Sequence, residues 1–443
     1  MKSKINSFHQ ETKEYRFEKN PIPQLEIILR DKEFGEFGYL VIDNLEPGRC
    51  AGGIRMASDI TREEVVHLAR VMSLKFAFRN SYMGGAKAGI VYPRGTSIQK
   101  KSEILERFGE KLAPILNTLY YPGGDLGVGA DELKTINRAL GKETEILPGD
   151  YKAGLFTAGG VFSSICAVCE KMDMNLQKST VAIEGYGNVG RALVRLIHQG
   201  GGKIIGLSTE CGAIYNPKGL NIDQIENLRE KYGDEVVNKI KECEKIPKPD
   251  LFTLKTDILV PGARPWVINM DNVSQIQARA IVPAANIPIA HDALPILAQR
   301  GILFVPDFVS SGGGIMGSNL LNSGFSEDKI MHLISKSIGR KVKSLIDISR
   351  RQQRSMMDIA VEIANKNYRQ MKKNHELKRK KIKWLWEKIK EEKRLIPVLE
   401  GASFRLFLRA PERLGFLKKM LQPMALDYIY RNSLGEFSRT SQI

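Results

Sequence analysis

The chain has 443 residues, 42% hydrophobic and 26% charged, ordinary values for a globular protein with material for two or three domains and a buried core. No apolar run approaches the ~20 residues that cross a bilayer, and the polar stretch Met1 to Asn20 lacks a signal peptide's apolar centre, which predicts a cytoplasmic protein. The net charge of +17 is lopsided: Lys366 to Ile443 holds twenty Lys and Arg against eight Asp and Glu, or +12, so basicity belongs to a C-terminal extension and not to the body.

In chain order, Gln24 to Leu29 and Phe37 to Ile42 predict two short strands joined by a turn. The run Cys50-Ala51-Gly52-Gly53-Ile54-Arg55-Met56 reads as a glycine-rich turn with a basic residue near its end. Thr61 with Glu64 three residues on makes a capping-box pattern, and Val65, Leu68, Ala69, Met72, Phe76 and Ala77 recur behind it at helical spacing. Lys75 lies near the end of that helix, twelve residues before Lys87. Lys87 sits alone among three glycines and two alanines in a predicted loop, Met83 to Ile90. An ammonium in so apolar a setting is poorly hydrated, so its neutral form is favoured and its pKa falls. Ile104 to Leu116 predicts a second amphipathic helix, and Asp125 follows, framed by glycines in Tyr120 to Gly129. Apolar neighbours there are expected to raise its pKa toward that of a working acid or base.

Cys166 and Cys169 form a single C-x-x-C in an apolar stretch with no second pair, which reads as buried free thiols, and no metal site is expected. Beyond it, Thr180-Val181-Ala182-Ile183 is a buried-strand pattern. Gly185-Tyr186-Gly187-Asn188-Val189-Gly190 follows, then a helix from Arg191 to Gln199 and a second strand, Lys203 to Leu207. In that setting a G-x-G-x-x-G is a dinucleotide-binding fingerprint. The first glycine makes the turn, the second admits a pyrophosphate to the helix N-terminus, and the third lets helix and strand pack closely. The ribose-binding acid belongs at the end of the second strand, where the sequence reads Ser208-Thr209-Glu210, with the acid one place late. No basic pair stands there, which favours NAD and leaves NADP open. Ile258 to Val260, Ala280 to Val282 and Leu303 to Val305 supply further strands between helical segments, for an open, mostly parallel sheet. A last glycine-rich segment, Ser310 to Met316, leads into a long helical tail.

Together these segments resemble the glutamate/leucine/phenylalanine/valine dehydrogenase family over about residues 20 to 365. Gly52-Gly53-Ile54-Arg55-Met56 is similar to its substrate-side G-G-x-R segment, Gly84-Gly85-Ala86-Lys87 to its catalytic-lysine segment, and Pro122-Gly123-Gly124-Asp125 to its catalytic-aspartate segment. Phe156 to Val161 and Ala285-Asn286-Ile287-Pro288 resemble two segments whose Thr157 and Asn286 would lie at the nicotinamide. The resemblance implies an α/β fold: an N-terminal α/β substrate and oligomerisation domain (1–150), a doubly wound Rossmann-type NAD(P)-binding domain (151–335), a helix returning to the substrate domain (336–370) and a basic helical extension (371–443). It further implies a homo-oligomer that oxidises an L-amino acid to a 2-oxo acid and ammonia. Lys75 would hold the α-carboxylate, Lys87 would polarise the developing carbonyl and activate water, and Asp125 would move protons to and from the amino nitrogen.

Three positions bear on substrate or cofactor. Ala51 stands where glutamate-specific members place a lysine for the side-chain carboxylate; without that cation a buried γ-carboxylate costs several kcal/mol, which points to an apolar or aromatic side chain. Ser318 falls near a position that glutamate enzymes fill with serine, which points the other way. Ser311 replaces an asparagine usual before the glycine run. In the extension, Ile382, Leu385, Trp386 and Ile389 form an apolar stripe ringed by lysines and Arg379, and Phe404 to Leu408 and Leu414 to Leu426 add further apolar residues. Such a helix packs on its own protein or a partner subunit, or meets a membrane surface or RNA. The alternative readings are a glutamate dehydrogenase and a dehydrogenase-derived binding protein tethered by that tail.

Overall fold

Two sheets organise the computed structural model, which describes Phe17 and residues 22–93, 95–141 and 148–391, the side chains of 148, 150 and 382–391 excepted. Residue contacts divide the chain into Met1–Met371, which holds both sheets, and Lys372–Ile443, of which only the end of one helix is described. The apolar segments expected at Phe404 to Leu408 and Leu414 to Leu426, and the side chains of the Ile382–Ile389 stripe, lie outside the described residues.

The first sheet comprises β1 (Leu25–Asp31), β2 (Gly35–Ile42), β3 (Cys50–Ala57), β4 (Gly84–Val91) and β5 (Tyr120–Gly124), in the order β1-β2-β4-β3-β5. β4 runs antiparallel to β2 and parallel to β3, and β3 is parallel to β5. Both glycine-rich runs expected to be turns are therefore strands. Their small residues serve close approach, not chain reversal. A Cβ on Gly85 would lie 2.1 Å from the Ser73 nitrogen and 2.5 Å from the Ala69 carbonyl oxygen, so β4 touches the backbone of the helix above it. That helix is α1 (Arg62–Phe78). Its cap is the expected one, with Thr61 Oγ1 accepting the Glu64 amide at 3.2 Å. The Glu64 carboxylate does not return to close the box; it turns inward to Arg55. The second helix, α2 (Ile98–Leu112), begins and ends earlier than its apolar periodicity suggested, because Ser97 accepts the Lys100 amide and caps it. α3 (Ala130–Arg138) completes this half.

The second sheet comprises β6 (Thr180–Glu184), β7 (Lys203–Thr209), β8 (Gly212–Tyr215), β9 (Glu244–Ile246), β10 (Ile258–Pro261), β11 (Ala280–Ile281) and β12 (Leu303–Phe304). Its order is β12-β11-β10-β6-β7-β8-β9, with every strand running the same way except β8, which is antiparallel to both β7 and β9. The chain enters at β6, moves outward to β7, and later returns to lay β10 on the other side of β6. That reversal opens a crevice at the carboxyl ends of β6 and β10, the usual ligand position in such sheets. The helices here are α4 (Pro148–Lys171), α5 (Asn188–Gln199), α6 (Ile222–Tyr232), α7 (Val236–Lys239), α8 (Leu294–Gln299), α9 (Asp307–Ser310), α10 (Gly313–Asn322), α11 (Glu327–Gln352) and α12 (Met356–Glu391). The glycine-rich Ser310–Met316 segment is thus the junction of α9 and α10.

Residues Tyr151–Lys171 of α4 form, among the described residues, one helix long and apolar enough to span a bilayer, a length the sequence reading had not found; most of it is buried within the fold. It is a core helix. α1 has a similar character: Leu68, Val71, Leu74 and Phe78 join the core of the second sheet, while Val65 and Ala69 pack with Val41 and Ile60 of the first half. Each of these Leu, Val, Ile and Phe side chains stabilises by about 1.5–3 kcal/mol on burial. Helix α1 consequently has no solvated face near its end, and Lys75 is buried with it, 5% exposed.

Candidate active site

Lys87 and Asp125 reach each other because β4 and β5 flank β3. Lys87 Nζ lies 2.6 Å from Asp125 Oδ2, and the lysine is 3% exposed. A Cβ on Gly53, between them, would lie 2.9 Å from Asp125 Cβ and 3.1 Å from Lys87 Nζ, so only glycine leaves this pair room. On Gly52 it would lie 1.7 Å from the Ala86 carbonyl oxygen. Ala51, one residue earlier, pairs with Gly85 on one side and Tyr121 on the other.

Asp125 has a second partner. Arg55 Nε donates to the same Oδ2 at 3.0 Å, and Arg55 Nη1 donates to Glu64 Oε1 at 2.6 Å, both of these side chains being 4% exposed. The four groups form a chain, Lys87–Asp125–Arg55–Glu64, with two positive and two negative charges. Burial alone would raise the Asp125 carboxyl, but the charges and hydrogen bonds of Arg55 and Lys87 outweigh it and hold the group below the ordinary carboxylate range. The expected upward shift is thus reversed. What the glycine framing could not disclose was a guanidinium arriving from the neighbouring strand. Lys87 is lowered as expected, chiefly by burial, with Asp125 opposing and Arg55 reinforcing.

Lys75 belongs to the other side of the site. Its Nζ donates to Asn286 Oδ1 at 2.8 Å, which joins α1 to the segment after β11. Burial brings it down to about 8; Asp307 and Asp125 pull it up, while Lys87 and Arg79 push it down. The same electrostatic neighbourhood therefore contains Lys75, Lys87 and Asp125.

The fingerprint residues occupy the strand-to-helix turn after β6. Gly185 has φ +92°, and a Cβ on Gly190 would lie 2.0 Å from the Gly185 carbonyl oxygen, so the helix can start this close to the strand only with glycine there. A Cβ on Gly187 would meet nothing within 4 Å, which leaves open space beside the first turn of α5. Gly187 caps α5 without a side chain, Asn188 is exposed and Val189 is half-buried, so the helix amides remain available to an anion. This geometry fits a dinucleotide pyrophosphate. α4 passes close by, its Gly154 Cβ position 3.2 Å from Asn188 Cβ. One turn on, Thr157 donates to the Ala153 carbonyl at 2.8 Å and faces Gly314 of α10.

Other expected site residues are engaged elsewhere. Ser318 donates to the Gly149 carbonyl at 2.8 Å and ties α10 to the start of α4. Ser311, just after α9, donates to the Asp307 carbonyl at 2.6 Å. Thr209, buried at the end of β7, donates to the Asp234 carbonyl at 2.7 Å. Glu210 stands exposed in the turn to β8, and Lys248 Nζ donates to its backbone carbonyl at 3.3 Å. Three residues of this cluster were not among the expected site residues: Glu64, whose sequence context indicates a cap; Arg55, which the resemblance puts in the substrate-side G-G-x-R segment without a role of its own; and Asp307 after β12. An arginine alternating with apolar residues and facing an inward acid was the available signal.

A family model described as "Glutamate/Leucine/Phenylalanine/Valine dehydrogenase" matches residues 150–378, and one described as "Glu/Leu/Phe/Val dehydrogenase, dimerisation domain" matches residues 30–142. The chain belongs to the glutamate/leucine/phenylalanine/valine dehydrogenase family. It is 33% identical over 297 residues to a protein of Staphylococcus aureus named NAD-specific glutamate dehydrogenase, covering 63% of this chain and 70% of that one. In fold it is similar to a hetero-hexameric glutamate dehydrogenase of Thermus thermophilus solved in a Leu-bound form (TM-score 0.67, 24% identity, 79% of this chain and 89% of that one). It is likewise similar to an L-tryptophan dehydrogenase of Nostoc punctiforme (TM-score 0.54, 22% identity, 79% and 97%). The family match reaches residue 378, beyond the end expected near residue 365, which accords with α12 running unbroken from Met356 to Glu391. As a member of this family the chain is an amino acid dehydrogenase.

Proposed function

We propose that the chain catalyses reversible NAD-dependent oxidative deamination of an L-amino acid with an apolar or aromatic side chain, giving a 2-oxo acid and ammonia. The observation that carries the side-chain preference is Ala51 on β3, at the position where the family resemblance expects glutamate-specific members to carry a lysine for the γ-carboxylate. Lys87 and Arg55 are already paired with acids. Lys75 would take the α-carboxylate of the substrate. Asp125, ionised through Arg55 and Lys87, would begin as the base that removes a proton from the substrate ammonium. Lys87 would then hold a water at the imino carbon and steady the oxygen that forms there. NAD bound at Gly185 to Gly190 would accept the hydride from Cα. The curated relative named as NAD-specific supports that cofactor. The hexameric homologue supports an oligomer, which we propose is made of identical chains.

A second reading, glutamate as substrate, is favoured by Arg79. This half-buried cation acts electrostatically on Lys75, donates to the Gly312 carbonyl at 2.7 Å, and has no carboxylate partner among the described residues. The relatives named glutamate dehydrogenase support it too. Cofactor reduction with a panel of L-amino acids decides between the two. Turnover of leucine, valine, phenylalanine or tryptophan above glutamate supports the first reading, and the reverse order establishes the second. No turnover with any amino acid, while NAD still binds, would refute both.

A further inference from the structure

Asp307 opens α9 and is 1% exposed, yet only one of its carboxylate oxygens has a partner. Oδ2 accepts the Ile287 amide at 2.8 Å, and Oδ1 has no hydrogen-bond partner. Ile287 has φ +46°, a left-handed backbone that a β-branched residue keeps only when its surroundings enforce it. They do: its N–H goes to Asp307, its carbonyl accepts the Trp266 N–H at 2.9 Å, and the Pro288 carbonyl accepts the Ile268 N–H at 3.0 Å. Immediately before this forced residue stands Asn286, the acceptor of the Lys75 ammonium.

The charged groups that bear on Lys75 include Lys87 from β4, Asp125 from the segment after β5, Arg79 next along from α1 and Asp307 from α9, with Asp307 the larger of the two acidic influences; burial pushes the Asp307 carboxyl itself up, and the Lys75 charge opposes that rise. We propose that Asp307 is a positioning residue for the substrate-carboxylate site: one oxygen fixes the Ile287 turn that aims Asn286 at Lys75, and the buried carboxylate serves as a counter-charge to the Lys75 ammonium that Asn286 holds. This rests on the reading of Lys75 as the holder of the α-carboxylate. A buried lysine without its counter-charge becomes a neutral amine at lower pH, and a neutral amine does not hold a carboxylate.

Asp307→Asn keeps an oxygen that can accept the Ile287 amide and removes the charge. Competitive acetylation of full-length protein from neutral to alkaline pH, read by peptide mass spectrometry at Lys75, gives the titration without any assay of activity. The wild-type half-point is expected at about 8, and D307N lowers it by about one unit, the low end for loss of an opposite charge. The alkaline limb of kcat/KM moves to lower pH with it. Ile287→Gly accepts the left-handed backbone freely, so the double variant I287G/D307N recovers thermal stability, keeps the test open if D307N folds poorly, and leaves the Lys75 titration lowered. An unmoved Lys75 half-point in D307N, or its full restoration by I287G, overturns the proposal. A lowered half-point with an unmoved kcat/KM limb upholds the Asp307–Lys75 link and instead removes Lys75 from substrate binding.

Discussion

Asp125→Asn tests the charge chain most directly, because it removes one of two acids that balance two buried cations. The Asp125 carboxylate touches Lys87 at 2.6 Å and Arg55 at 3.0 Å, and its side chain is only 21% exposed. Breaking a buried pair by deleting one partner typically costs about 3–5 kcal/mol. At about 2 °C per kcal/mol for a chain of this size, thermal unfolding at neutral pH should fall by roughly 6–10 °C. The loss has a predictable pH dependence. Asp125 raises the Lys87 pKa both by charge and by hydrogen bond; without it, burial and Arg55 lower that group further below its unfolded value of about 10.4. Between the lowered folded pKa and the unfolded value, the unfolded chain binds the extra proton, so stability of the variant rises with pH through that window. Scanning calorimetry of wild type and D125N from neutral to alkaline pH should show the gap narrowing, with deamination reduced by about 10²–10⁴ throughout. A variant as stable as wild type at neutral pH, or a gap that widens toward alkaline pH, would refute the assignment of Asp125 as the shared counter-ion.

Glu64→Gln strands the other end of the chain, leaving Arg55 with Asp125 alone; the stability loss should again be about 3–5 kcal/mol by denaturant titration, and a near-neutral result would mean that the 2.6 Å Arg55–Glu64 contact contributes nothing net. Gly53→Ala forces a methyl within 2.9 Å of Asp125 Cβ and of the Gly124 carbonyl oxygen, and should cost about 1–3 kcal/mol in stability with about a 10²-fold fall in kcat from the displaced Lys87–Asp125 pair. Gly187→Ala and Gly190→Ala should separate cofactor binding from folding by calorimetric titration with NAD. The first adds a methyl to open space, so it leaves Tm unchanged while weakening NAD binding; the second meets the Gly185 carbonyl at 2.0 Å and lowers both.

The nucleotide-binding half was legible because each of its signals is local. A buried strand, three glycines at fixed spacing and a helix determine one another within about thirty residues, and β6, the Gly185–Gly190 turn and α5 follow that order. The first half was legible in its chemistry and misread in its backbone. Gly52, Gly53, Gly84 and Gly85 carry the composition of turns, yet each makes room for an atom that comes from a distant part of the chain. A single sequence displays the absence of a side chain but not the neighbour that requires it. The same limit applies to Asp125. Its glycines were visible, whereas Arg55, seventy residues away and one strand over, set the direction of its pKa. Glu64 had a local role available as a capping residue, and the long-range ion pair prevailed because it neutralises a buried guanidinium.

Placing Lys87 in the middle of a strand has a consequence for how this protein tolerates change in length. In register, Lys87 lies opposite Val41 of β2, while its neighbours Ala86 and Ala88 lie opposite Ile42 and Leu40. Side chains in a strand alternate faces with a period of two, so inserting or deleting one residue between Met83 and Ala86 would turn the ammonium to the opposite face of the sheet and set an alanine against Asp125. A loop would have absorbed such a change by relaxing. Indels near Lys87 should therefore abolish turnover outright, whereas the segment joining β4 to α2 can lengthen or shorten without moving the lysine at all.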